Sequence, residues 1–211
     1  MVTPAEIDRL LQSIFDPAAN SAGFQKLKNR KYVRERSPHF RDVLQFRSFV
    51  SLDFVWGVSL NFVPHIAGRY TESVQWHRTK IGARADLSFG GNESTHVPKY
   101  RFQLENAEKA VESLICVRDV GLQEALSFFD QIRTFRDLGG LFLDVATQPR
   151  SFRHYYQKSL AYCFYLAKSG DEIRARRFMS LWIQNPHFRE ETNDKILRLF
   201  ERTCLAPVAP Q

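Results

Sequence analysis

The sequence predicts an α+β fold: an antiparallel sheet of about four or five strands with helices packed on one face, plus a C-terminal helical subdomain. Apolar residues alternate in short runs before residue 150, and beyond it they recur at helical spacing. A content of 44% hydrophobic residues, including 18 Phe, can fill a sizeable core. We expect an α+β domain over 1–148, the helical subdomain over 149–205 and a disordered tail over 206–211.

The first predicted element is an amphipathic helix over 4–15, with Thr3 as a candidate cap. Its apolar residues share one face: Ile7, Leu10, Leu11, Ile14 and Phe15. We expect Asp16-Pro17 to end this helix, because proline disfavours a helical conformation in the residue before it.

Strands are predicted over 31–36, 42–50 and 54–63. In the last two runs the apolar residues alternate with polar or small ones, so each strand should bury one face and leave the other more polar. Residues 51–53 form a short link, which favours an antiparallel hairpin. The small residues on the outer face of the second strand suggest that something covers it or docks there.

Two further strands are predicted over 84–89 and 99–104, with a polar loop between them. From Asn106, a candidate cap, the apolar period lengthens to that of a helix. We expect Gly121 to break this helix, a second one to follow, and Thr134 to cap a third.

The C-terminal subdomain should hold helices over about 152–168, 171–184 and 189–204, with a turn at Gly170-Asp171. In the second of these, the apolar positions that indicate the helix are Ile173, Phe178, Leu181 and Trp182. The first two helices look like one helix pair of the tetratricopeptide kind, but an array needs about three or more repeats. A packed appendage is therefore favoured over a peptide-binding groove.

The chain is basic, with a formal net charge of +7, which suits a nucleic acid or an acidic partner. Many of its cations fall in one segment, residues 26–41, here called the basic stretch. The basic residues that we assign to a candidate binding surface are Lys26, Lys28, Arg30, Arg34, Arg36 and Arg47. Two interpretations stay open: a solvated loop and strand face, or a patch that binds phosphate or an acidic partner.

A second candidate binding segment is Trp76-His77-Arg78. An aromatic ring beside an arginine can stack on a base or on a peptide side chain. The alternative is a tryptophan packed at a sheet edge between solvated neighbours.

No catalytic signature is present, and we predict no catalytic residue, no metal ligand and no cofactor. The six histidines are not spaced as metal ligands, and no glycine-rich phosphate loop occurs. Asp42 and Asp53 could belong to a metal-dependent nuclease, but we interpret them as turn and cap acids.

The predicted location is the cytoplasm. No apolar run approaches the roughly 20 residues that a membrane span needs, and the first residues do not read as a secretory signal. Cys116, Cys163 and Cys204 are interpreted as small buried apolar residues in a reducing compartment.

The order of several short motifs resembles the bacterial domain-of-unknown-function family 4304. The motifs are Gly23-Phe24, Tyr32-Val33-Arg34, Val43-Leu44-Gln45-Phe46-Arg47, Val58-Ser59-Leu60-Asn61, His77-Arg78, Lys80-Ile81-Gly82 and Gly170-Asp171. The resemblance implies a small cytosolic α+β domain without an established activity, of a kind found in genomic settings where immunity or defence roles are suspected. It supplies no catalytic residues.

We therefore interpret the chain as a non-enzymatic protein-binding module, for which a bacterial immunity protein that blocks a toxin is one candidate role. The partner would be another protein, and no membrane is involved. A basic immunity protein would suit a toxin with an acidic surface. The alternative is a nucleic-acid-binding protein that uses the basic stretch. The oligomeric state stays open.

Overall fold

A computed structural model describes residues 2–27, 30–48, 52–63, 100–102, 106–148, 156–184 and 190–208. They form two compact units: the first contains the described residues up to 59 and from 100 to 133, the second contains 60–63 and the described residues from 134. The α+β class is confirmed. The predicted domain boundary between 148 and 149 stays a prediction. In the described parts of the chain, no helix has the length and apolar character to cross a bilayer.

A five-stranded antiparallel sheet organises the first unit. Its strands are β1 (Gln25–Lys26), β2 (Lys31–Glu35), β3 (Phe40–Ser48), β4 (Leu52–Leu60) and β5 (Tyr100–Phe102), in that spatial order. The predictions for 31–36, 42–50, 54–63 and 99–104 are confirmed to within a few residues, whereas the strand predicted over 84–89 lies outside the described residues. Because each strand pairs with the next, connections within the sheet stay local.

Both faces of β4 are buried, since all nine of its residues are shielded from solvent. The sequence predicted one buried and one more polar face. The difference arises on the face that was predicted to be more polar, where a small residue, Ser59, is fully buried. A small side chain leaves room for a covering layer to approach, as the sequence suggested.

One face of the sheet is aromatic and is covered by the N-terminal helices. The ring of Phe15 packs edge-on against Tyr32, Phe46 and Phe54, with centroids 5.2, 4.9 and 5.6 Å away. Edge-to-face contacts of this kind add to the free energy of burying the rings. All four side chains are buried.

The N-terminal helix is longer than the sequence predicts. It comprises α1 (Pro4–Leu10), a π-helical turn (Leu11–Phe15) and α2 (Asp16–Ser21). The expectation that Asp16-Pro17 ends the helix is therefore wrong. Pro17 follows directly on the π turn, whose wider hydrogen bonding, from Asp16 N–H to Leu11 O, lets a residue without an N–H continue the helix.

A second long helix contains α3 (Ala107–Cys116), a π-helical turn (Val117–Gly121) and α4 (Leu122–Asp130). Asn106 caps it, because its side chain accepts a hydrogen bond from Lys109 N–H. Gly121 does not break the helix, contrary to expectation. A Cβ at this position would lie 3.3 Å from the Phe54 ring, so the glycine serves close packing of the helix on the sheet.

The second unit is helical. Its elements are a 3₁₀ segment (Arg136–Phe142), α5 (Leu143–Thr147), α6 (Tyr156–Lys168), α7 (Glu172–Ile183) and α8 (Glu190–Cys204). Thr134 caps the first of these as predicted, since its Oγ1 accepts from Asp137 N–H while its own N–H donates to the Asp137 carboxylate.

Aromatic rings fill the core of this unit. Phe142 lies between Tyr162 and Tyr165, with centroids 5.6 and 5.4 Å away, and Phe164 packs edge-on against Phe200 of α8.

The C-terminal segment is anchored as far as residue 208. Val208 N–H donates to Lys168 O at 2.7 Å, and the Lys168 ammonium donates to Ala206 O. Residues 206–208 thus form hydrogen bonds with Lys168 at the end of α6, and the disordered tail expected over 206–211 stays a prediction. Residues 209–211 lie outside the described part.

Candidate functional site

The first cations of the basic stretch bind carboxylates of the N-terminal helix. Lys26 Nζ lies 2.8 Å from Asp16 Oδ2. Arg30 Nε donates to Asp8 Oδ1 at 2.6 Å, and its Nη2 donates to Pro4 O at 3.0 Å. These bonds connect the edge of the sheet to the helix that covers it.

The next two cations converge on one buried carboxylate. Arg34 Nε donates to Asp42 Oδ2 at 2.9 Å, and Arg36 Nη1 donates to the same oxygen at 3.3 Å. Each guanidinium also binds a backbone carbonyl: Arg34 binds Ala22 O, and Arg36 binds Ile132 O. One carboxylate therefore connects β2 and β3, and its arginines reach to the ends of α2 and α4.

The electrostatics of Asp42 are those of a structural counter-ion. Its side chain is only 1% exposed, and this burial raises the pKa of the carboxyl, while hydrogen bonds from Arg34 and Arg36 act in the opposite direction. The interpretation of Asp42 as a turn or cap acid is wrong, since it lies within β3. Its Oδ2 accepts from two arginines of the same chain, which is not how a nuclease carboxylate binds metal.

Arg41 belongs to the basic stretch but was not assigned to the binding surface; it is buried, and its Nη1 lies 3.9 Å from Glu35 Oε1. The remaining predicted residues of this surface are placed differently. Arg47 belongs to β3, and its side chain is not described. Lys28 and the Trp76-His77-Arg78 segment lie outside the described residues. The structure thus places Lys26 and Arg34 on the neighbouring strands β1 and β2, with Arg30 and Arg36 at the two ends of β2, but it gives each a carboxylate partner of the same chain.

A different surface arises in the second unit from the α6–α7 hairpin. Gly170 adopts φ +84°, a left-handed conformation that suits glycine, and ends α6. Gly170 N–H donates to Ala167 O, and Asp171 N–H donates to Leu166 O. Asp171 then caps α7, since its side chain accepts from Arg174 N–H. The predicted turn at Gly170-Asp171 is confirmed.

The buried face of α7 consists of Ala175, Met179 and Trp182, at helical spacing. On the opposite face lie Ile173, Arg177 and Leu181, four residues apart along the helix, here called the α7 ridge. Ile173 is 86% exposed and Leu181 is 46% exposed. The sequence used both only as apolar positions of this helix and did not predict their exposure. The spacing of Ala175, Met179 and Trp182 was the signal that could have separated the two faces.

The arginines of α7 differ in their partners. Arg174 binds the Asp171 carboxylate and donates to Tyr162 Oη at 2.7 Å. Arg176 binds Glu172 of its own helix and Glu201 of α8. These bonds lower the pKa of the Glu201 carboxyl.

Arg177 lies at the centre of the α7 ridge and forms no ion pair within the described part of the chain. An exposed guanidinium between two exposed apolar side chains can bind a carboxylate while its neighbours bury apolar surface.

The described residues offer little chemistry of another kind. No three His, Cys, Asp or Glu side chains among them lie together as a metal site would require. Of the cysteines, only Cys163 is fully buried, and burial raises the pKa of its thiol. Cys116 is exposed and Cys204 is half-buried, so the expectation that all three are buried is wrong.

No family model, curated protein or solved structure matches this chain. The resemblance to family 4304 stays a prediction.

Proposed function

We propose that this protein is a binding module for another protein, and that the partner docks on the α7 ridge. The observation that carries the proposal is the exposure of Ile173 and Leu181 on either side of Arg177, which forms no ion pair with any residue that the structure describes. Single exposed apolar residues are ordinary on protein surfaces. Here two share one helix face with a cation, an arrangement that a helix-binding partner can use.

The two apolar side chains would contribute measurably to the affinity of a docked partner. Burial of an exposed aliphatic side chain contributes about 1.5–3 kcal/mol, and each 1.4 kcal/mol changes a dissociation constant about tenfold. Ile173 offers nearly all of its surface for this purpose.

The ion pairs that the basic stretch forms within the chain weaken the nucleic-acid alternative. Lys26, Arg30, Arg34 and Arg36 already contact carboxylates of this chain. A phosphate would have to displace those carboxylates, so each contact would contribute less than a free cation does. A bacterial immunity protein, which the family resemblance suggests, would be one form of the protein-binding role.

Affinity capture with a matched control tests the proposal. The tagged chain is used as bait in a lysate of its native host, with and without nuclease treatment, and at moderate and high salt. It is compared with the ridge variant Ile173→Ser/Leu181→Ser. The control is Leu143→Ser/Leu205→Ser, which removes equally exposed leucines from the same unit.

The expected result is one protein, recovered in stoichiometric amount with the parent and the control, and lost with the ridge variant. If the ridge variant captured the same protein in the same amount as the parent, docking on the α7 ridge would be wrong. Recovery that requires nucleic acid and disappears at high salt would favour the alternative.

A further inference from the structure

Resting on the proposed function, we infer that the partner docks through an amphipathic helix that presents a carboxylate between two apolar side chains. Three properties of the α7 ridge lead to this conclusion: its spacing, the charge at its centre, and the consequence of that charge for pairing with a second copy.

The spacing of the ridge fits a helix. Ile173, Arg177 and Leu181 form a row of residues four apart. Such rows pack into the grooves between the corresponding rows of a second helix, which is the commonest mode of helix packing in globular proteins. Eight residues separate the two apolar positions, a distance of about 12 Å along the axis. The partner helix needs apolar surface at both ends of that distance.

The charge at the centre requires a carboxylate. A helix lying across Ile173 and Leu181 would cover the Arg177 guanidinium between them. Removing an arginine from water without a counter-charge costs several kcal/mol, and a carboxylate offsets this with short, charge-assisted hydrogen bonds. The adjacent Arg174 and Arg176 already bind carboxylates of this chain, so Arg177 is the cation with unused capacity at this position.

The same charge disfavours a second copy of this chain as the partner. In a two-fold symmetric dimer of α7 ridges, the central residue of one copy faces the central residue of the other. Arg177 would then oppose Arg177, and like charges at an interface repel. A different chain with an acidic helix avoids this repulsion.

Peptide binding tests the inference. Three synthetic helical peptides are compared on the full chain by fluorescence anisotropy. All carry Leu at two positions eight residues apart, and the residue midway is Glu, Gln or Lys. The chain is used as the parent, as Arg177→Glu, and as the control Arg198→Glu, which reverses an exposed cation on α8 of the same unit.

The parent and Arg198→Glu should bind the Glu peptide about tenfold more tightly than the Lys peptide, and Arg177→Glu should reverse that order. Equal binding of all three peptides, or no binding, overturns the inferred partner chemistry. In that case the capture experiment still decides the proposed function, because it depends on Ile173 and Leu181 and on no particular peptide. A dimer of the parent that Ile173→Ser/Leu181→Ser dissociates would also overturn the inference.

Discussion

Arg34 Nη2 lies 2.7 Å from Asp42 Oδ2, directly across the β2–β3 pairing. The guanidinium also lies over the rings of Phe24 and Phe129, with 4.9 and 5.8 Å from its carbon to the two centroids. One arginine thus joins two strands and the aromatic residues at the ends of both long helices. In this protein the paired cations of the basic stretch first of all connect elements of the same chain through ion pairs.

Replacement of Asp42 by alanine should destabilise the first unit strongly. It leaves two partly buried guanidiniums, on Arg34 and Arg36, without a carboxylate. Removing one partner of a buried ion pair costs about 3–5 kcal/mol. Urea unfolding followed by circular dichroism would measure the loss.

The control for this experiment is Asp119→Ala, which breaks an ion pair with Arg118 on the surface. Exposed pairs contribute little, so its unfolding midpoint should equal that of the parent. Equal midpoints for Asp42→Ala and the parent would contradict the structural role of Asp42.

Two adjacent glycines of the 3₁₀ segment should respond in opposite directions to alanine. A Cβ on Gly139 would lie 2.8 Å from Tyr165 Oη, whereas a Cβ on Gly140 would meet no atom within 4 Å. Gly139→Ala should therefore lower the free energy of unfolding by about 1–3 kcal/mol through overpacking. Gly140→Ala should raise it by up to about 1 kcal/mol, because alanine restricts the unfolded chain. Thermal unfolding of both variants is the measurement, and equal shifts would show that Tyr165 does not pack as described.

The stability of the protein should fall at alkaline pH through Tyr32. Burial, and then the hydrogen bond that it donates to Asp16 Oδ1, raise the pKa of Tyr32 above its usual value. Unfolded tyrosine loses its proton near pH 10, while folded Tyr32 keeps it. The stability that protonated Tyr32 contributes to the folded state is thus fully present below about pH 10, and it is lost as the pH rises further.

Tyr32→Phe removes the titrating group but keeps the ring. Between about pH 9 and pH 11 its free energy of unfolding should decline less than that of the parent. A parallel decline of the two proteins, measured by urea unfolding at each pH, would assign the alkaline loss to other groups.

The three cysteines should differ in their reaction with a thiol reagent under native conditions. Cys116 is exposed, whereas Cys163 is fully buried with a thiol pKa raised by burial. The thiolate is the reactive form, so Cys116 should be alkylated first and Cys163 only on unfolding. Peptide mass spectrometry after brief alkylation reads this order directly. Alkylation of Cys163 in the native protein would place it outside the core.

Local patterns in the sequence were sufficient for several elements. Alternation identified β3 and β4 because the side-chain period of a strand does not depend on distant contacts. Asn106 and Thr134 were identified as caps because a cap bonds within three residues. Pro17 and Gly121 were interpreted as stop signals, but the helix continues past both: one π-helical turn ends two residues before Pro17, and the other ends at Gly121.

The candidate sites depended on contacts that a sequence pattern does not contain. Arg30 meets Asp8 across 22 residues, and Arg36 meets Ile132 O across 96. The basic stretch was visible as a run of charge, but its pairing required the helices to be in place. The exposure of Ile173 and Leu181 was not predicted, because hydrophobicity alone does not distinguish the two faces of a short helix.

The sequence by itself determined the α+β class, the order of the strands along the chain, the helix caps and the turn at Gly170, because each depends on neighbours within a few residues. Only the tertiary structure decided which charges are neutralised and which apolar side chains remain in solvent. Ion pairing and burial are set by residues distant in the chain. Lys26, Arg30 and Arg34 therefore bind carboxylates of this chain, while Arg177 forms no ion pair within the described residues.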